Sequence, residues 1–384
     1  MRKKTPTIKI IALIAVIVLS ISGLTGCFGT LSCVSCLSFL DDGTYDIISD
    51  APESVATYSN EKYAYNTLDE TSKKVYDELY QGIINMDASI KVSTSDSKVL
   101  SDVTECIAAD YGELFYVDGY SYSYGSGLFG DSGFDVAPQY TMNKSNRDAT
   151  QQKIDEVVNS WLSEVPANTS DYEKSKWVYE TLINRVDYVA DAPDNQNIIS
   201  VFLNGKTVCQ GYSNAANYLF SKLGIQSIVV PGATEEGLHA WNCVRLDNEY
   251  YFMDITWGNA SYGEYSGTNK VSYNMLNVTS EDMSRTHVTD AVFPIPNCVS
   301  INDNYFYQEG LYFDTFQRER MGKIIHNGYV EGKDVSIKCG NQDTYNRMKE
   351  YFIDEGRFVE FCGGLSRLQY VAYPDDRIIL YKFS

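Results

Sequence analysis

GKTVCQGYSNA, residues 205–215, places a cysteine, Cys209, where the pattern changes from loop to helix. From there Tyr212, Ala215, Ala216, Leu219, Phe220 and Leu223 recur at helical spacing, and Gly224 stands where a left-handed C-terminal cap belongs. The spacing predicts a helix of about 15 residues with Cys209 in its first turn. Amides in a first turn have no intrahelical acceptor, and together with the helix dipole they favour an anion. Gly205 and Gly211 leave the sulfur little steric cover. A buried structural thiol is the plainer reading of any single cysteine at a helix start. The surroundings of Cys209 decide between the two.

A thiol nucleophile needs a base to take its proton and return it to a leaving group. The chain has three histidines, 239, 287 and 326, so the pool is small. His239 lies in LHAWNCVRL, residues 238–246, which reads as a strand. IQSIVV before it reads as another, and EYYFMDITW, residues 249–257, as a third, reached through a turn at Asp247-Asn248. A two-residue turn pairs Leu246 with Glu249, sets Trp241 opposite Asp254 and sets His239 opposite Thr256. His239 and Asp254 are then diagonal neighbours on one face, whereas a three-residue turn would put them on opposite faces. A carboxylate beside the imidazole orients it and stabilises its charged form. A metal reading built on His239, Cys243 and Asp254 is weaker. Positions 239 and 243 lie about 13 Å apart along a strand, and the ligand set would also need Cys209.

GKTVCQGYSNAANYLFSKLGI, LHAWNCVRL and EYYFMDITWGN follow in that order, their Cys, His and Asp separated by 30 and then 15 residues. Together they resemble the transglutaminase-like superfamily in its bacterial secreted branch. That pattern has a Cys in V-C-x-G-Y/F at a helix start, a His in H-A-W-N on a strand and an Asp in D-x-T-W-G/D beyond it. The resemblance covers roughly residues 170–290, and SYNMLNVTSEDMSRTH, 272–287, looks like the family's continuation. It implies an α+β fold with a papain-like core: a helix bearing Cys209 packed on an antiparallel sheet, flanked by small α+β domains. It implies Cys209 as nucleophile, His239 as general base and acid, and Asp254 as the orienting carboxylate. The Cys209 amide would hold the oxyanion with a second donor, for which Gln210 and Tyr188 are candidates. Trp241 and Trp257 would wall the cleft, with Tyr212 and Gln210 also on the substrate side. The superfamily's animal enzymes use calcium, but the chain has no loop of the DxDxDG kind, and no metal or cofactor is inferred.

The implied activity is cleavage or transfer of amide bonds in peptides or proteins through a Cys209 acyl-enzyme, with hydrolysis favoured over transamidation. The alternative is a non-catalytic cell-surface binding or scaffold protein with a degenerate cleft, which the 31 tyrosines would suit.

The beginning of the chain reads as an address. Residues 1–26 have a basic start, an apolar run from Ile8 to Ile21 and the sequence Leu24-Thr25-Gly26 before Cys27. This resembles a bacterial lipobox, with Cys27 as the lipidated N-terminus of the mature protein. The expected location is the extracytoplasmic face of the cell membrane, held by a lipid anchor as on a Gram-positive-like surface, with cell-wall peptides among the substrates. Removing the segment takes away Arg2, Lys3, Lys4 and Lys9 and leaves 27 basic against 51 acidic residues, a net charge of −24. Such a chain will not seek nucleic acid, whose affinity comes mainly from cationic side chains.

Residues 27–59 read as a tether, with Cys33 and Cys36 in it as a CxxC that lacks a folded setting. An N-terminal α+β domain is expected over 60–150, the transglutaminase-like catalytic domain over 151–290, and a small C-terminal α+β domain over 291–384.

Overall fold

The computed structural model describes residues 62–124, 133–259 and 270–383. The export segment, Cys27 and the tether with Cys33 and Cys36 lie outside the described residues.

Asp247 and Asn248 both take left-handed backbone angles, φ 45° and 71°. Two consecutive residues of that kind form the turn that matches the twist of a two-residue hairpin. Leu246 therefore pairs with Glu249, and Asn242 with Met253, in the register that the two-residue turn predicts. The hairpin strands, Gly237–Leu246 and Glu249–Met253, belong to a four-stranded antiparallel sheet that continues through Ser227–Thr234 to Val288–Thr289.

The third strand is shorter than its sequence suggests. It ends at Met253, and Ile255–Gly258 forms a helical turn capped by Asp254, whose side chain accepts from the Trp257 amide. The expected pairing of Trp241 with Asp254 and His239 with Thr256 is thus absent from the ladder. A short acidic side chain that can bond the amide three residues on competes with strand pairing, and here it wins.

The cysteine helix, Cys209–Lys222, packs on this sheet with Tyr212, Ala215, Ala216, Leu219 and Phe220 buried beneath it. Asn242 fixes the contact: its side-chain amide donates to the Ser213 carbonyl of the helix at 2.9 Å. Asp171–Arg185 lies alongside, opened by the capping box that Ser170 and Glu173 spell in the sequence.

The N-terminal helices, Glu70–Asn85 and Ser97–Asp110, do not bury a core of their own. Val75, Leu79, Val103 and Ile107 belong to the same continuous apolar cluster as Tyr212, Leu219, Trp241 and Val244. The expected separate domain over 60–150 is therefore part of one body with the cysteine helix. Asn217 of that helix joins the two, donating to the Ala109 carbonyl at 3.3 Å and the Ser227 carbonyl at 3.0 Å. A buried amide that bridges helix and strand in this way cannot be left unpaired cheaply.

A second core runs from Phe313 to Tyr381. Its four-stranded mixed sheet has Val335–Cys339 between Tyr312–Phe313 and Ile378–Lys382, with Gln369–Tyr373 at the edge. A buried ion pair ties it to the first body: Lys338 Nζ lies 3.0 Å from Asp282, which also meets Arg285 at 2.7 Å.

Candidate active site

Cys209 opens its helix behind Val208, which supplies no side-chain cap. The first-turn amides thus have no acceptor from the N-cap side chain. A Cβ on Gly211 would lie 1.9 Å from Thr207 Oγ1, so the C-x-G spacing reflects a chain crossing that only glycine permits. Cys209 is half-buried, while the other described cysteines, 106, 243, 298, 339 and 362, are buried. Cys243 faces Cys298, sulfur to sulfur at 3.8 Å, and does not join His239 and Asp254 in a common donor set.

His239 and Asp254 meet although the ladder stops short of them. Nε2 of His239 lies 2.8 Å from Asp254 Oδ2. Since that nitrogen faces the carboxylate, Nδ1 is the one left toward Cys209, whose thiol helps to raise the His239 pKa. Cys209, His239 and Asp254 thus lie in series, with Cys209 half-buried and the carboxylate fully buried.

Asp254 is fully buried and accepts three N–H groups. Oδ1 takes the Trp257 amide at 3.1 Å. Oδ2 takes His239 at 2.8 Å and a second imidazole, His287 Nε2, at 3.0 Å. Burial pushes the Asp254 carboxyl up, but the two histidines overcome that and hold it well below the usual range. Burial likewise opposes a charged His239, yet the Asp254 carboxylate outweighs it. With its hydrogen bonds added, the His239 pKa is raised to about 10.

His287 is the site residue that the sequence reading missed. The small histidine pool and its place in the SYNMLNVTSEDMSRTH block were the available signals. The two imidazole nitrogens and the carboxylate oxygen lie within 4.8 Å, a donor set that suits a divalent cation in composition. Their spacings to Oδ2 are hydrogen-bond distances, and both nitrogens already use it as acceptor.

Aromatic rings close the site. Trp241 lies 6.1 Å from the His239 ring and 4.9 Å from that of His287, and Trp257 lies 4.7 Å from His287. Trp241 is buried, so it floors the site from within the core instead of walling a cleft. Trp257 is half-buried. Both indole N–H groups are buried without an acceptor among the described residues. Gly258 beside Trp257 is needed because a Cβ there would lie 1.9 Å from the Tyr179 hydroxyl.

Two expected substrate contacts fall elsewhere. Tyr212 is fully buried; its hydroxyl donates to the Val186 carbonyl at 2.7 Å and accepts from Asn259 at 3.1 Å. It shares the helix's apolar stripe, which points into the core, and serves as an internal strut. Gln210 donates along the helix surface to Asn214 at 3.0 Å. Tyr188 lies in the short strand Asp187–Tyr188, paired with Thr207 two residues before Cys209. A cavity of about 530 Å³ lined by Tyr273, Tyr305, Glu309 and Leu380 is built from residues other than the Cys209, His239 and Asp254 group.

The raised His239 pKa has a stability consequence. The folded value lies above histidine's ordinary 6.5, so the charged pair stabilises the fold fully below about pH 6.5. That contribution disappears as the pH rises through about 10. The melting temperature should fall across this window, and His239→Asn should flatten that part of the fall. The same decline in both proteins would show that the pair does not titrate as described.

The transglutaminase-like superfamily model matches residues 159–255, a span that contains Cys209, His239 and Asp254. Kyphoscoliosis peptidase of Mus musculus is 25% identical over 122 residues, covering 27% of this chain and 18% of that protein. The Homo sapiens protein of that name is 28% identical over 122 residues with the same coverage. The chain thus spans under a fifth of the length of these curated relatives. Among solved structures, a TGase is similar at 18% identity and TM-score 0.27, over 39% of this chain and 46% of that one. A chain described as a cysteine protease from Cytophaga hutchinsonii is similar at 12% identity and TM-score 0.26, over 48% and 79%. Over residues 159–255 the chain is thus similar to the transglutaminase-like superfamily.

Proposed function

We propose that this protein is a thiol enzyme that cleaves or transfers amide bonds of peptides or proteins through a Cys209 acyl-enzyme. The observation that carries the reading is a half-buried cysteine that acts on the His239 imidazole, which in turn meets a buried carboxylate. His239 holds its Nε2 proton against Asp254 and presents Nδ1 to the sulfur. As an imidazolium it carries on Nδ1 the proton that the thiol gives up, and Sγ bonds to the substrate carbonyl carbon. The oxyanion that forms lies at the helix start, where the Cys209 amide is a donor. Collapse breaks the C–N bond, and His239 gives its proton to the departing amine. Water or an amine then attacks the thioester, passing a proton to His239, and the thiol is restored. Trp257, half-buried beside His239, lines the site, and Trp241 packs from below.

Hydrolysis ranks ahead of transamidation, following the expectation from the bacterial branch. Cell-wall peptides or exported proteins are the substrate classes that fit an extracytoplasmic location. Exposure of Cys209 weighs against the alternative of a degenerate binding cleft.

Cys209→Ala should abolish turnover of a fluorogenic peptide, by about 10³-fold or more, while the melting temperature stays close to that of the parent. Retained turnover sinks the assignment. Adding a primary amine to the same assay separates the two outcomes, because a transamidase incorporates it and a hydrolase does not.

The anchor is a second, separable part of the proposal. Cys27 is the lipidated residue, and Cys27→Ala should move the protein from the membrane to the soluble fraction. Unchanged membrane association in that variant would remove the lipid anchor from the account.

A further inference from the structure

We propose that His287 is a positioning residue for the chemistry at Cys209, acting through Asp254; this inference rests on the thiol-enzyme reading above. An ionised carboxylate only accepts, so both histidines must donate to Oδ2 through Nε2–H. Oδ1 is committed to the Trp257 amide. The direction of Oδ2, and with it the plane of the His239 ring, is therefore set by two imidazoles.

His287 is itself held on every side. Its side chain is fully buried. Nδ1 lies 2.8 Å from the Thr286 hydroxyl, which donates to it in the tautomer that keeps the proton on Nε2. Trp241 and Trp257 pack on its ring. Its amide donates to the Met283 carbonyl at 3.0 Å, and the next two residues, Val288 and Thr289, pair with Ala233 and Gly232. A ring fixed this firmly transmits its position to the carboxylate.

His287 also draws on the charge that stabilises protonated His239. The titratable groups facing His239 are Asp254, Cys209 and His287; those facing His287 are Asp254 and His239. Without His287, Asp254 keeps its charge with one donor fewer. His239 is then less well aimed, yet holds its proton to higher pH.

The test is alkylation of Cys209 in the full chain by iodoacetamide across pH, read at the Cys209 peptide by mass spectrometry. His287→Phe should slow alkylation at neutral pH by about tenfold and move the step at which His239 loses its proton upward by about half a pH unit or more. His287→Gln, whose amide N–H reaches the place of Nε2–H, should restore most of the rate and the position of the step. A residue with a packing role alone would lower the melting temperature and leave the pH profile in place.

A folded His287→Phe protein with the parent's rate and profile overturns the inference. If the Phe variant does not fold, Thr286→Val decides, since it keeps the ring and removes its Nδ1 partner. It must slow alkylation and shift the same step, and an unchanged profile overturns the inference. Parent Cys209 that reacts no faster at neutral pH than thiols of the denatured chain overturns both readings. A reactive parent with an indifferent His287→Phe overturns this one alone.

Discussion

A buried carboxylate governs this fold's central region. Asp254 has no exposure to solvent, so its charge persists only because three N–H groups are aimed at it. Hydrogen bonds to an ionised acceptor are among the stronger ones, and removing one partner of a buried charge costs about 3–5 kcal/mol. Those donors come from three places: the strand bearing His239, the turn bearing Trp257 and the segment bearing His287. Satisfying one carboxylate thus fixes three otherwise independent pieces of chain. The reactive geometry follows, since the His239 nitrogen that does not face Asp254 is the one that meets Cys209.

The rest of the molecule holds the two sides of that chain in place. Asn242 pins the sheet to the cysteine helix through Ser213, and Asn217 pins the helix to the N-terminal segment through Ala109. These contacts explain why the N-terminal helices share the main core. They brace the helix whose first turn carries the sulfur. On the other side, Asp282 lies five residues before His287 and pairs with Lys338 of the C-terminal sheet. Burial pushes the Asp282 carboxyl up, and Lys338 with the neighbouring arginines brings it below its ordinary value. The C-terminal body is thus tied to the same segment that delivers the second imidazole.

Much of this is legible in the sequence. Asp247-Asn248 dictates the hairpin register, because a two-residue turn needs two left-handed residues. The stripe after Cys209 dictates which helix face is buried. The same stripe misleads at Tyr212, where a residue near the nucleophile in sequence points into the core. The sequence places Asp254 in a strand because EYYFM is strongly strand-forming, and the cap it makes with Trp257 competes only in three dimensions. His287 stands 33 residues beyond Asp254, and no strand register links the two positions in the sequence. Whether 60–150 buries its own core depends on packing across the chain, which local pattern does not encode. The export segment and tether rest on sequence alone.

The central claim is that one carboxylate holds two imidazole N–H groups at once. The chain has three histidines, and the third, His326, is exposed. Proton NMR of the ¹⁵N-histidine-labelled protein therefore reads the claim without ambiguity. Two slowly exchanging, downfield Nε2–H signals should appear, and both should vanish or move in Asp254→Ala while His326 stays silent. Fast exchange at all three histidines would contradict the shared carboxylate and the site built on it.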